Sequence, residues 1–288
     1  MKNLYGTIGY TILKNNKTNN NIIVFADRHD NLPQCDNKTN IAEWFKQKMH
    51  SSKILLEEVP RNSVELEELW SDSEHTQDLK NLYLSNSQII NGLDIRPLLI
   101  PFSWEVLDSS ELVHNIATRK YLRKINDFFS VRNSYLSENL SNYQVDKLKG
   151  TKLGIHFLLI KNNFKKLLEK NKEFLSLSVQ MVKTIKSDFF ESINNLLDQI
   201  MEWYICANIQ INNDKPIIIH TGLAHSEKIV QLLQVHYQYD KITEKGINKL
   251  ELVLLDRIEG CVPMPFDTDN QFGGFNTNVY RIFIKNNK

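Results

Sequence analysis

Short runs of consecutive apolar residues, spaced along the chain and separated by longer amphipathic stretches, constrain this chain more than any other feature. NIIVFA (21–26), KILLE (53–57), QIINGLD (88–94), PIIIH (216–220) and LELVLL (250–255) show little alternation between polar and apolar positions and read as strands. A strand that is apolar on both sides needs cover on both faces, which is the situation of strands in a mostly parallel sheet flanked by helices. NIAEWFKQKM, between the first two runs, fits a short helix. The fold class expected is therefore α/β with a mostly parallel central sheet. YGTIGYTIL (5–13) and NTNVYRIFI (276–284) also have strand character and are expected at antiparallel edges.

Between residues 109 and 212 the pattern becomes helical almost without interruption. Phe174, Leu177, Met181, Ile185, Phe189, Ile193, Leu196, Ile200 and Tyr204 recur at steps of three and four, the apolar stripe of one long helix. Because PIIIH resumes the strand pattern afterwards, 109–212 is read as a large all-helical insertion, a cap within a single α/β domain spanning 1–288. Gly150 and Gly154 mark a break between its helices.

Charge and composition narrow the function classes. With 41% hydrophobic and 24% charged residues and a formal net charge of +1, the chain has a globular composition and no excess of basic charge to attract nucleic acid or an acidic membrane. No nucleic-acid or membrane partner is expected. The first residues lack the apolar core of a signal peptide, and no apolar run is long enough to span a bilayer, so a soluble cytoplasmic protein is predicted. The three cysteines, Cys35, Cys206 and Cys261, are scattered, and all three are expected as free thiols.

The ends of the strands carry the chemistry. The first apolar run leads into Asp27, Arg28 and His29; the second ends in Glu57 and Glu58; the third ends in Asp94 and is followed by Arg96; the fourth carries His220 and is followed by Gly222 and His225. Ligands of parallel α/β sheets bind beyond the carboxyl ends of the strands, where loops converge and helix N-termini point inward. Each residue alone has a structural explanation, but four strand ends bearing imidazoles, carboxylates and an arginine point to one site. Gly222 is expected to take a positive φ and bring His225 back over the strand end, a turn that Ala26, at the equivalent position of the first unit, makes less readily.

These residues resemble the superfamily of TraB/Tiki proteins, erythromycin esterases and ChaN-like haem-binding proteins. The matching positions are Ala26 and His29 (a G-x-x-H motif with alanine for glycine, here A-D-R-H), Glu57, Arg96 within GLDIR, and Gly222 with His225 in HTGLAHSEKIVQLL. The resemblance covers about residues 20 to 100 and 214 to 256. It implies one site built from both halves of the chain and metal-dependent hydrolysis of a peptide or ester bond, with haem binding in one branch. The abundance of Asn and Lys reads as codon bias and would suit a viral protein, from a large DNA virus, or one from an intracellular bacterium.

In the corresponding mechanism His29, Glu57 and His225 are ligands of zinc, manganese or a similar divalent ion, with Glu58 or Asp27 as general base. Arg96 holds a substrate carboxylate or phosphate or stabilises a developing oxyanion, Asp94 orients a ligand histidine or pairs with Arg96, and His220 is a supporting or core histidine. The substrate would be a small molecule or a peptide. The alternative is a non-catalytic relative that binds haem or another small ligand, or a virion interaction protein. A third reading, nucleophilic catalysis through Cys35 or Cys261, lacks a recognisable nucleophile turn.

Overall fold

Ile22 to Ala26, Ile54 to Leu56 and Ile217 to Ile219 are each at most 1% exposed, so the apolar runs are covered on both faces as their composition requires. A computed structural model of the chain describes residues 2–60, 73–100, 115–130, 150–172, 187–211, 215–254 and 258–265. In chain order its elements are β1 (Asn3–Tyr5), β2 (Gly9–Asn15), β3 (Asn21–Asp27), β4 (Lys38–Asn40), α1 (Ile41–Lys48), β5 (Lys53–Pro60), α2 (Glu74–Asn86), β6 (Ile90–Asp94) and α3 (Arg96–Leu99). They continue with α4 (Asn115–Phe129), α5 (Lys152–Lys170), α6 (Ser187–Ile211), β7 (Ile217–Gly222), α7 (Leu223–Tyr237), β8 (Tyr239–Gly246), a 3-10 turn (Leu250–Leu254) and β9 (Cys261–Pro263).

The fold is α/β, with a six-stranded, mostly parallel sheet in the order β6-β5-β7-β3-β2-β8. β3 and β5 each pair in parallel with β7, while β2 runs antiparallel to both β3 and β8. The register sets Asp27 opposite Gly222, and both Phe25 and Leu56 opposite His220. The carboxyl ends of β3 and β7 are therefore level, while β5, in step with β7 through Leu56, runs on to Pro60. A small sheet, β4-β1-β9, forms separately. Helix α7 packs on β3, β7 and β8, and α1 packs on α2. Asn40 caps α1 by accepting from the amide of Ala42, which explains why that helix starts there.

The chain divides into two compact units, one of residues 1–58, 72–91 and 211–288, the other of 59–71 and 92–210. In the second, Phe128, Phe129, Phe157, Phe164 and Trp203 form an aromatic core in which the rings of Phe157 and Trp203 are 4.8 Å apart. Phe189, Ile193, Leu196, Ile200 and Tyr204 of the apolar stripe are buried on α6. The stripe's Phe174, Leu177, Met181 and Ile185 lie outside the described residues, as does NTNVYRIFI. Gly150, with φ of +78°, precedes the Thr151 cap of α5, whereas Gly154 lies within the first turn of that helix, where its amide donates to the Thr151 hydroxyl. Among the described residues, no helix is long and apolar enough to cross a membrane.

Three expectations are corrected. Leu250–Leu254 of LELVLL forms a 3-10 turn rather than a strand. YGTIGYTIL supplies β2, which is antiparallel but lies inside the sheet; the edge on that side is β8, YDKITEKG, whose charged, solvent-facing sequence hides its pairing with β2. Cys35 and Cys261 are not free thiols but form a disulfide that ties the loop after β3 to β9; Cys206 alone is free, buried in α6. With both sulfurs bonded, neither Cys35 nor Cys261 is available as a nucleophile.

Candidate functional site

The first unit holds the site. β3 delivers Asp27 to the sheet's carboxyl edge, and two residues later His29 takes φ of +59°. This left-handed conformation is uncommon outside glycine, though histidine is among the residues that enter it more readily than most. It brings Nδ1 of His29 to 3.1 Å from Oδ2 of Asp27. The opposite ring nitrogen then faces Gly222 across the edge, where a Cβ added to Gly222 would lie 2.9 Å from His29 Nε2 and 3.7 Å from Glu57 Oε2.

Glu57 extends from β5 into the same space and is almost fully buried. Its Oε2 accepts from the backbone N–H of Gly222 at 2.7 Å, and its Oε1 lies 3.5 Å from His225 Nε2. The N–H of Gly222 caps the start of α7, so this carboxylate sits at the positive end of a helix, and His225 projects from that helix's first turn. His29 and Glu57 thus both approach a residue that has no side chain, and Glu57 in turn approaches His225.

Gly222 does so for a different reason from the one expected. Its φ is −56°, a conformation open to any residue, and the left-handed turn is made by His29 instead. What Gly222 supplies is room. Ala26 stays in β3 and packs in an apolar cluster with Tyr5, Ile8, Leu32, Leu223 and Ile247, so its methyl group obstructs nothing at the edge.

Asp27 is 1% exposed. Burial alone would raise its carboxyl pKa, yet hydrogen bonds to His29 and His75, with His220 and His29 as nearby positive charge, hold it well below the usual carboxylate range. A carboxylate so firmly ionised is a weak proton acceptor at neutral pH and a good fixed acceptor for imidazole N–H groups. Of the two base candidates, that leaves Glu58, whose backbone is in β5 and whose side chain lies outside the described residues. His220 is a core histidine: it is fully buried, its Nε2 lies 3.1 Å from the carbonyl oxygen of Gly6, and its ring packs on Phe25 and Phe45.

Asp94 and Arg96 belong to the second unit. Arg96 donates through Nε and Nη2 to the two oxygens of Asp94, at 2.9 and 2.8 Å, and through Nη1 to Asp198 of α6 at 2.8 Å. Its guanidinium is thus clamped between two carboxylates, the first of them almost fully buried.

Sequence reasoning missed His75. It stands in the first turn of α2, is fully buried, and places Nε2 3.0 Å from each oxygen of Asp27. Nothing in SEHTQDLK distinguishes it from a helix-start residue.

The donor types, two imidazoles and a carboxylate, suit a divalent ion such as zinc or manganese, and the missing side chain at Gly222 lets His29 Nε2 and Glu57 Oε2 approach the strand end closely. Among the described residues, no group of three or more His, Cys, Asp or Glu side chains stands close enough together to hold a metal ion. Comparisons with protein-family models, with curated proteins and with solved structures found no match. The resemblance to the TraB/Tiki, erythromycin esterase and ChaN-like superfamily therefore rests on the motifs alone.

Proposed function

We propose that the chain is a metal-dependent hydrolase of the TraB/Tiki and erythromycin esterase type, acting on a peptide or ester bond. The observation that carries this reading is that His29 Nε2 and Glu57 Oε2 both approach Gly222, while Glu57 Oε1 lies 3.5 Å from His225 Nε2. His29, Glu57 and His225 would hold a divalent ion, which when bound supplies Lewis acidity and makes water a stronger acid.

The remaining roles belong to the chain's own groups. Oδ2 of Asp27 lies 3.1 Å from Nδ1 of His29, and Nε2 is the ring nitrogen on the side of Gly222. The amide of Gly222 fixes one oxygen of Glu57, leaving Oε1 on the side of His225. Glu58, the next residue of β5, takes the proton from the attacking water. Arg96 enters as the charge partner of Asp94 and Asp198, which engage its donors, rather than as a substrate clamp.

Equilibrium dialysis of the purified protein against zinc, manganese and cobalt tests this. The wild type should bind one ion per chain, His29→Ala, Glu57→Ala and His225→Ala should lose it, and the metal-loaded wild type should cleave an activated ester. Glu58→Gln should keep the ion and slow cleavage by about 10² to 10⁴, the usual cost of a lost general base. A wild type that binds none of the three ions would refute the hydrolase and leave a binder of haem or another small ligand as the better account.

A further inference from the structure

The segment that leads from His29 to β4 has few fixed points of its own. Among the described residues, no backbone–backbone hydrogen bond is made by residues 30–36, and Asp30, Asn31, Pro33, Gln34 and Asp36 are exposed. Its one deeply buried side chain is Leu32, which packs with Tyr5, Ile8, Ala26, Leu223 and Ile247, and the Leu32 carbonyl oxygen accepts from the Tyr5 hydroxyl at 3.4 Å. The bonds from Gln34 Nε2 to Glu74 and from Asn3 Nδ2 to the Asp36 carbonyl are exposed and long, at 3.4 and 3.5 Å. At the far end the Asn37 carbonyl oxygen accepts from the amide of Asn3 in β1 at 3.2 Å. A covalent tie is added by Cys35, bonded to Cys261 at the start of β9. The two stretches also touch: a Cβ on Gly260 would overlap the Pro33 carbonyl oxygen and stand 2.5 Å from Leu32 Cβ.

A segment with one apolar anchor and a few exposed hydrogen bonds opens more readily than the sheet beside it. His29, at its start, has φ of +59°, a conformation that a residue other than glycine keeps only where its surroundings enforce it. Both bonded cysteines are half-buried, within reach of a small reductant. We propose that Cys35–Cys261 is a redox clasp on the segment that carries His29: a dithiol reductant opens it, residues 30–36 loosen from β9, and His29 leaves its left-handed conformation. In the opening step a thiolate of the reductant attacks one of the two sulfurs, breaking the Cys35–Cys261 bond and forming a mixed disulfide. The reductant's second thiol then closes on the first, so that two electrons and two protons pass to the protein as two cysteine thiols and the reductant leaves as a disulfide. The clasp concerns the backbone that presents His29 and does not depend on the proposed ion.

The test is amide hydrogen exchange of the metal-free full chain, oxidised and after treatment with dithiothreitol without denaturant, beside the imidazole spectrum of histidine-labelled protein with His29→Ala to assign the His29 signal. Reduction should speed exchange across residues 30–37 by at least about 10-fold, leave β3 and β7 as they were, and move the His29 signal. The double variant Cys35→Ser, Cys261→Ser should show the same pattern without reductant and be unaffected by adding it, and reoxidation of the wild type with oxidised glutathione should restore the slow exchange. Should the double variant fail to fold, the reduced and reoxidised wild type still decide the matter. A reduced chain whose residues 30–37 exchange as in the oxidised one, a His29 signal that does not move, or a disulfide that resists dithiothreitol until the whole chain unfolds would overturn the inference. So would exchange that rises equally in β3 and β7, which would make the disulfide a staple of the whole unit rather than a clasp on one segment. All of these readings are taken without metal, so a failure to bind cobalt would refute the proposed hydrolase and leave the clasp standing.

Discussion

Gly222→Ala separates the site from the fold. The backbone at this position has φ of −56° and ψ of 149°, which alanine adopts without strain, and replacing glycine at such a position reduces the freedom of the unfolded chain, a gain of about 0.4 to 1 kcal/mol. Against that, the new methyl carbon would stand 2.9 Å from His29 Nε2, well inside an ordinary carbon–nitrogen contact, and 3.7 Å from Glu57 Oε2, which it merely touches. The group that must move is an imidazole on a loop, and its side chain is 25% exposed, so it can swing away at little cost to the core. The two effects are of similar size, and the melting temperature should stay within about 4 °C of wild type. Binding should suffer far more, because the methyl displaces the ring that supplies one of the three proposed donors. We expect cobalt affinity to drop at least about 100-fold, roughly 2.7 kcal/mol. Calorimetric titration with cobalt beside a thermal melt reads both quantities. A variant that melts like wild type and still binds cobalt like wild type would refute the argument that Gly222 is there to leave room.

Three further outcomes follow from the structure. Thiol titration under denaturing, non-reducing conditions should count one thiol, Cys206, and three after reduction; in the native protein Cys206 should react slowly, since burial pushes its thiol pKa up. Ile200→Asp should destabilise the second unit by several kcal/mol, about the cost of an uncompensated buried charge, because Ile200 is fully enclosed in α6; an unchanged melting curve would contradict its burial. Asp27 has a lower carboxyl pKa folded than unfolded, so the unfolded chain takes up its proton first as pH falls, and the stability Asp27 contributes is present above about pH 4 and lost below it. Asp27→Asn should accordingly show a shallower fall in stability than wild type between about pH 4 and pH 2.

The strands that carry the site were legible because burial on both faces leaves only apolar side chains, and the polar residues at their ends stand out against that background. Asp27, Glu57, Gly222 and His225 could be placed at one edge from that contrast alone. The register that brings them level, with Asp27 opposite Gly222, is a property of the parallel pairing and has no local signal. β8 was illegible because an outer strand facing solvent needs few apolar residues, and LELVLL misled because a short apolar run fits a strand or a helical turn equally well. The disulfide joins residues 226 positions apart, a distance at which spacing carries no information. His75 was hidden for a related reason: its importance comes from a carboxylate 48 positions away, and an imidazole in the first turn of a helix looks the same whether or not it has such a partner. Arg96 shows the reverse case, a residue that looked available on sequence and whose donors are engaged by Asp94 and by Asp198 of α6.

The most direct measurement is X-ray absorption of the protein loaded with one equivalent of zinc. The account predicts only nitrogen and oxygen neighbours at about 2.0 to 2.2 Å, with the outer-shell scattering of two imidazoles, and loss of one imidazole's contribution in His225→Ala. A sulfur neighbour at about 2.3 Å, or a spectrum without imidazole scattering, would place the ion elsewhere and contradict a centre built from His29, Glu57 and His225.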